Sequence, residues 1–411
     1  MYQNPCAKFF MAMQSAMKIT RIGFGDLFSV IFPMSNQLTG GWCWFQDPRA
    51  VRFVGEYDRT YVGYADAGKI MVAYYDHGLK KQGMPQVVCR TRRDDDHIAP
   101  SILILPDGHF LVFWSKHCLD YIHMRHSVNP EDISCWEDIQ TITSDDNCCY
   151  TNPVYLNIGR MYLIYRDCTN WNIKWIYSDD HGHTWSKAQV IADFHNGIYN
   201  EAYTKVESVG NTIHLAASAC KHGEFATYRN IYHAYFDGNN WKNLDGTILR
   251  LPLTPDSMKI AFNSGLYTSW IWDLALDENN YPVIVFSHKL NTNNHEYWYT
   301  RWNGSLWEAR KIVDSNHGGL YEKEPAYSGG VCLDHGDPSN VYASVYKHGN
   351  FEIKKFRMPN VGNMEDITKG NGKWNLRPVV PRNASAELQV FWMHGDYASY
   401  TNFNTVIKYH P

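Results

Sequence analysis

The chain has 411 residues, 44% hydrophobic, 15% aromatic and only 19% charged, so it can bury a sizeable core and is not a disordered polymer. Lys and Arg total 38 against 42 Asp and Glu, and no long basic run occurs, which excludes the field needed to hold a nucleic-acid phosphate backbone. No apolar stretch reaches the roughly 18 residues of a membrane span.

At the N-terminus, Lys8 and the apolar residues Phe9 to Met13 have only a faint signal-peptide character, because Gln14 and Ser15 interrupt the run and the cleavage pattern is poor. Residues 1–20 are expected to form an arm and residues 21–411 one large domain. The ten cysteines are scattered, with Cys148 and Cys149 adjacent, so no disulfide framework is expected in a chain large enough to bury its own core.

Along the rest of the chain one element recurs: a short strand rich in Tyr and Ile, usually followed by a polar turn and often a Trp. Copies begin at Ile70, Tyr121, Ile173, Ile231, Tyr297, Phe351 and Thr405, a period of roughly 50 to 65 residues. Between copies lie further strand-like runs, such as Ser101 to Leu105 and Phe110 to Trp114 flanking a Pro-Asp-Gly turn. Short strands at this period with almost no helical periodicity predict an all-β fold, a seven-bladed β-propeller of four-stranded antiparallel blades. A sandwich array would need linkers that the sequence lacks, and β-helix coils are shorter. Asp26 to Phe32 would supply the strand that closes the ring.

Ser178 to Trp185 reads Ser-x-Asp-x-Gly-x-Thr-Trp and resembles the Asp-box of sialidase-like propellers. It is expected to be a structural hairpin, with Gly182 admitting the turn and Trp185 packing between strands. Ser127 to Trp136 is a degenerate copy.

The chemistry-bearing pattern lies between residues 94 and 166. Asp94-Asp95-Asp96-His97 precedes a strand and His117 ends the next one; one repeat later, Tyr150 and Arg166 occupy the matching positions. Three consecutive Asp on a connection read as a solvated turn or a weak cation site. The four other side chains suit β-elimination across C4 and C5 of a uronic acid. Arg166 would bind and neutralise the carboxylate; His97 and Tyr150 are candidates to take the C5 proton and to protonate the departing oxygen. His117 would assist the carboxylate or orient the sugar. A hydrolase would instead need two facing carboxyl groups, a set the sequence does not assemble. His214, Cys220, His222 and His233 are close enough in sequence to meet across strands as a structural metal site, but their spacing is no recognised finger motif and buried hydrogen-bonded His with a free Cys is the favoured reading.

These features together resemble the BNR-4 repeat family, seven-bladed propellers that include ulvan lyases and rhamnose-glucuronate lyases. Matching segments run from Gly41 to Ala50 through Asp95-Asp96-His97, Asn129 to Ile133, Asn152 to Leu156 and Trp270 to Ala275 to Asn375–Arg382. The resemblance implies a polysaccharide lyase acting beside glucuronate or iduronate, with rhamnose as neighbour, an acidic polysaccharide as partner, no cofactor for the chemistry, a possible structural Zn or Ca ion, and a monomer that is secreted or periplasmic. It assigns catalysis to His97, His117, Tyr150 and Arg166, and substrate contact to Tyr203 with Lys205 beside it. Ile98-Ala99 depart from the family's His-Asn-Asn-Pro, and Trp42 to Arg49 hold no His, against the opposite-face mode of a rhamnosidase-like group. The alternatives are a non-catalytic carbohydrate-binding propeller, for adhesion or phage receptor binding, and a glycoside hydrolase on the same scaffold.

Overall fold

A computed structural model describes residues 37–119, 121–143, 147–195, 201–220, 230–291, 293–321, 325–370 and 372–410. Its strands fall into seven antiparallel sheets in sequence order. Blade 1 is built on Ala50–Val54, Asp58–Asp66 and Lys69–Asp76; blade 2 on Ser101–Ile104, Phe110–Trp114 and His123–His126; and blade 3 on Cys148–Tyr155, Met161–Asp167 and Asn172–Ser178. Blades 4 to 7 start at Glu201–Val209, Thr268–Leu276, Val331–Leu333 and Trp374–Val379.

The recurring Tyr/Ile element is the third strand of every blade, pairing with the second in each sheet. First strands of successive blades pack against each other and line the centre. Their inward residues and those of the second strands are buried apolar groups, such as Ile102, Leu163, Leu215, Ile284 and Val341. Alternation at period two thus makes an interblade core out of each sheet's two faces.

Three blades differ from the expected regularity. Blade 1 gains a strand at Gln86–Arg90, and blade 4 continues through Trp241–Lys242, Ile248–Leu249 and Lys259–Phe262. Blade 7 has three strands, and Thr39 pairs with Val406 to extend it, while Gly41 bridges to Ala65 of blade 1. Gly40 has φ +132°, and a Cβ there would strike the Ala65 carbonyl oxygen, so only glycine allows this approach. The ring is closed here. The expected closing segment, Asp26 to Phe32, and the 1–20 arm lie outside the described residues; the compact propeller unit runs from Leu38 to Pro411.

The Asp-box is a hairpin turn. Ser178 Oγ accepts from the backbone of Gly182, Asp180 accepts from both the backbone and hydroxyl of Thr184, and Trp185 Nε1 donates to the Gly182 carbonyl. Ser127 and Trp136 bridge in the degenerate copy. No described helix is long and apolar enough to cross a membrane.

Candidate active site

Trp42, Trp44 and Phe45 are buried and belong to the largest hydrophobic cluster. Trp44 stacks on Trp272 at 4.1 Å, and Phe45 packs 4.6 Å from each of the Tyr150 and Tyr203 rings. This aromatic floor carries the candidate residues. Just beyond it a one-turn 3-10 helix, Asp96–Ile98, is capped by Asp95, whose carboxylate accepts from the His97 backbone. The turn is pinned from several sides. Cys43 donates to the Asp96 carbonyl, Gln46 Nε2 donates to the carbonyls of His97 and Ala99, and Asp96 N–H donates to Tyr400. Ile98 and Ala99, where the sequence leaves the family pattern, are buried packing residues.

Asp95 and Asp96 are fully buried, which corrects the reading of the aspartate run as a solvated turn. Every carboxylate there meets a cationic or hydrogen-bonding partner, which is what makes burial tolerable. Asp95 receives His97 Nδ1 at 2.9 Å through one oxygen, and His117 Nδ1 at 3.0 Å and Arg93 Nε at 2.7 Å through the other. Asp96 lies 2.7 Å from His97 Nδ1 as an ion-pair contact and accepts hydrogen bonds from Tyr397 Oη at 2.8 Å and from the Arg377 guanidinium.

The two imidazoles stack with centroids 3.8 Å apart and planes parallel within 1°, yet they carry different charge. Burial would push His97 down, but Cys43 and the Asp96 and Asp95 carboxylates outweigh it and raise His97 well above its ordinary value. Both its nitrogens are engaged, Nδ1 with the Asp95 carboxylate and Nε2 with Tyr327 Oη at 3.1 Å. His117 is pushed down to about 4, by burial first and by the charge on His97 second, against the pull of Asp95. It is neutral at neutral pH. With Nδ1–H given to Asp95, its lone pair sits on Nε2.

Tyr150 enters from blade 3. The ladder between its strand and the next slips between Cys149 and Asn152, and Tyr150 sits in that bulge at φ +61°; the extra residue re-aims the side chain. Its ring lies 5.9 Å from His97 and 6.3 Å from His117. Burial raises the phenol well above its ordinary value, and Arg166 opposes that shift. The Arg166 guanidinium lies 4.4 Å from the Tyr150 ring centre and 4.6 Å from that of Tyr203, and donates to Glu201 at 3.1 Å. Tyr203 donates to the same Glu201 oxygen at 2.7 Å.

The structure therefore brings His97, His117, Tyr150, Arg166 and Tyr203 into one cluster. Lys205 is buried, its ammonium held by the Trp44 carbonyl and the Asp47 carboxylate. Sequence reasoning missed Asp95 as the link between the histidines, and Tyr327 and Tyr400, which arrive from distant repeats. Tyr400 stands edge-on to both imidazoles, 5.1 and 5.6 Å away. It also missed a disulfide, Cys118–Cys168, which joins the segment after His117 to the strand end after Arg166. Of the candidate metal ligands, His214 and His233 meet at 3.1 Å; the Cys220 side chain and His222 lie outside the described residues.

The BNR repeat-containing family model matches residues 59–315, more than half of the chain. The protein is a member of that family. Among curated relatives, an ulvan lyase of Alteromonas sp. (strain LOR) is 24% identical over 309 residues, covering 63% of this chain and 62% of that protein. The ulvan lyase PL25 of Pseudoalteromonas sp. (strain PLSV) is 22% identical over 350 residues, 71% of this chain and 68% of that one. A solved structure of a PL25 ulvan lyase bound to -[GlcA(1-4)Rha3S]- superposes with a TM-score of 0.73 at 18% identity, over 91% of this chain and 94% of its own. As a BNR repeat propeller, the chain thus shares its fold with that lyase and spans a little under two thirds of the first curated relative.

Proposed function

We propose that this BNR-family propeller is a polysaccharide lyase that breaks a glycosidic bond to glucuronate or iduronate, beside rhamnose in an ulvan- or gum-arabic-like polymer, and leaves a 4,5-unsaturated uronate. The observation that carries this reading is the unlike histidine pair on one carboxylate, next to a neutral phenol lying on a buried guanidinium. Two curated relatives named as ulvan lyases, and a related lyase solved with a glucuronate-rhamnose ligand, support the substrate class.

In this mechanism His117 Nε2 removes the C5 proton, because it is neutral, oriented by Asp95 and more exposed than His97. Negative charge then develops on the uronate carboxylate. The charged His97 supplies a fixed positive group beside it, and such preorganised charge is worth about 10²–10³ in rate. Tyr150 gives its hydroxyl proton to the departing O4, a general-acid step worth about 10²–10⁴. Arg166, beneath the ring, steadies the tyrosinate left behind. The base role thus passes from His97 to His117, since both His97 nitrogens are already engaged by Asp95 and Tyr327. Tyr203 holds Glu201 and so helps to fix Arg166. Lys205 is assigned to anchoring the loop at Trp44 and Asp47 rather than to substrate.

Hydrolysis has less support. Among the described residues at the site, Asp95, Asp96 and Glu201 are each bound to a cationic partner and do not form a facing carboxyl pair with room for water between them.

A structural zinc is proposed on the set the sequence offers, His214, Cys220, His222 and His233, because structural zinc takes four nitrogen and sulfur ligands whereas calcium takes oxygen ligands; of these, the facing nitrogens of His214 and His233 meet at 3.1 Å. The chain is proposed to act as a monomer, which light scattering on the eluted protein checks.

The test is ultraviolet absorbance during incubation with ulvan, gum arabic and related polymers. A rise reports the unsaturated uronate. Reducing ends without the chromophore indicate a hydrolase, and polymer binding without either indicates a lectin; both outcomes overturn the reading.

A further inference from the structure

Three cysteine sulfurs meet directly behind the cluster. Cys118 and Cys168 form the disulfide, and the free thiol of Cys149 lies 3.2 Å from Cys168 Sγ and 3.5 Å from Cys118 Sγ. Sulfur atoms this close are in contact. Each cysteine also neighbours a residue of the proposed site: Cys118 follows His117, Cys149 precedes Tyr150, and Cys168 lies two residues beyond Arg166. The Arg166 guanidinium reaches Cys118 Sγ at 3.6 Å, so a positive charge stands beside the sulfur that would leave as a thiolate.

We propose that Cys149 exchanges with this disulfide, so that the bridge alternates between Cys118–Cys168 and Cys149–Cys168 and thereby ties or releases the segment that carries His117. The three sulfur distances place Cys149 Sγ beside the bond rather than along its extension, so in the exchange the Cys149 side chain first turns into line, loses its proton, and bonds through its sulfur to Cys168 Sγ. The Cys118–Cys168 bond breaks, the electron pair leaves on Cys118, and Cys118 takes up a proton. No net oxidation occurs and no outside reagent is needed.

The two bridges constrain different things. Cys118–Cys168 links blade 2 to blade 3, across 50 residues of sequence. Cys149 is already paired in register with Arg166 on the neighbouring strand of blade 3, so Cys149–Cys168 is a bridge within one blade. Moving the bond there removes the covalent tie on His117, whose backbone, with that of Cys118, sits at φ +52° and +58°. Residues held in that region persist only while their surroundings fix them. Burial pushes the Cys149 thiol up to about 11, against the nearby charges of Arg166 and His97 and in the same sense as Glu201. Only thiolate attacks, so exchange is slow at neutral pH and quickens by about tenfold per pH unit as alkali is approached.

The experiment uses the air-oxidised full chain without substrate, so its outcome is independent of the lyase reading. Samples held at pH 7 and pH 9 are acid-quenched, unfolded in N-ethylmaleimide and mapped by mass spectrometry without reduction. Both bridges are expected, with the label on Cys149 in one population and on Cys118 in the other, and the second bridge forms faster at pH 9. Among these three positions, Cys149→Ser must show only Cys118–Cys168. A wild-type map lacking Cys149–Cys168 at both pH values overturns the exchange. For the release of His117, amide exchange over residues 115–119 should be at least tenfold faster in Cys118→Ser than in Cys149→Ser, and equal rates overturn the switch.

Discussion

His117→Gln tests both halves of the assignment at this residue, its chemistry and its charge. As general base it contributes about 10²–10⁴ to turnover, so the variant should lose at least a hundredfold in kcat while KM changes little. The charge state makes a separate prediction. A histidine with an ordinary value near 6.5, held at about 4 in the folded protein, binds its proton in the unfolded chain first. Its burial therefore costs nothing above pH 6.5, and wild type loses stability progressively as pH falls from there to 4. At about 1.4 kcal/mol per pH unit that is about 3 kcal/mol. Glutamine does not titrate, so urea unfolding of the two proteins should converge, or cross in the variant's favour, by about 3 kcal/mol between pH 7 and pH 4. The removed stack on His97 and bond to Asp95 offset the curves at every pH but do not change that convergence. Curves with the same separation at both pH values would refute the neutral His117, and a variant turning over within tenfold of wild type would refute the base.

Tyr150→Phe should keep its melting temperature, since the ring retains its packing on Phe45 and Arg166, while kcat falls by about 10²–10⁴; turnover near wild type would remove Tyr150 as the acid. Asp95→Asn takes the shared negative charge from His97, His117 and Arg93. Breaking a buried pair in this way costs about 3–5 kcal/mol, and the acid limb of the kcat/KM profile should shift from its wild-type position. Wild-type stability and an unmoved limb would show that Asp95 does not position the pair. Elemental analysis should find one zinc per chain, and chelation should lower the melting temperature with circular dichroism at low temperature unchanged; a metal-free, equally stable preparation would remove the ion at His214 and His233.

The architecture was legible because a propeller repeats its instructions. The Tyr/Ile runs are third strands, and seven copies suffice to read seven blades even where a blade carries extra strands. The clustering of His97, His117, Tyr150 and Arg166 was legible because they sit at matching places in two adjacent blades, so sequence spacing maps onto space. Their partners were not. His97 and Tyr327 are 230 positions apart, and no local pattern encodes a contact made across the ring. Asp95 and Asp96 misled for a related reason: a run of acids is solvated unless cations arrive from elsewhere, and here Arg377 comes from blade 7, His117 from the far end of blade 2. The Cys118–Cys168 bridge likewise joins neighbouring blades through loop ends whose approach depends on the closed ring.

The position of the site follows from where this fold can hold unusual backbone. His117 and Tyr150 both sit at positive φ, which costs a non-glycine residue roughly 1–3 kcal/mol each. A free loop would relax. These two do not while their restraints hold: Tyr150 is fixed in a bulge between two buried strands, and His117 is held by Asp95, by the stack on His97 and, in the Cys118–Cys168 state, by the adjoining disulfide. The rigid aromatic floor from Trp42 to Phe45 removes the remaining freedom from below. The proposed base and acid are thus presented by strained backbone on a stiff frame, while the charged groups, His97 and Arg166, are buried behind them with both hydrogen-bond partners and counter-charges in place. In the proposed mechanism that division sets His97 and Arg166, 2% and 1% exposed, deeper than Tyr150 at 6%: a positive group sealed from water acts on developing negative charge with little screening, while the proton-transferring groups are the ones that reach the sugar.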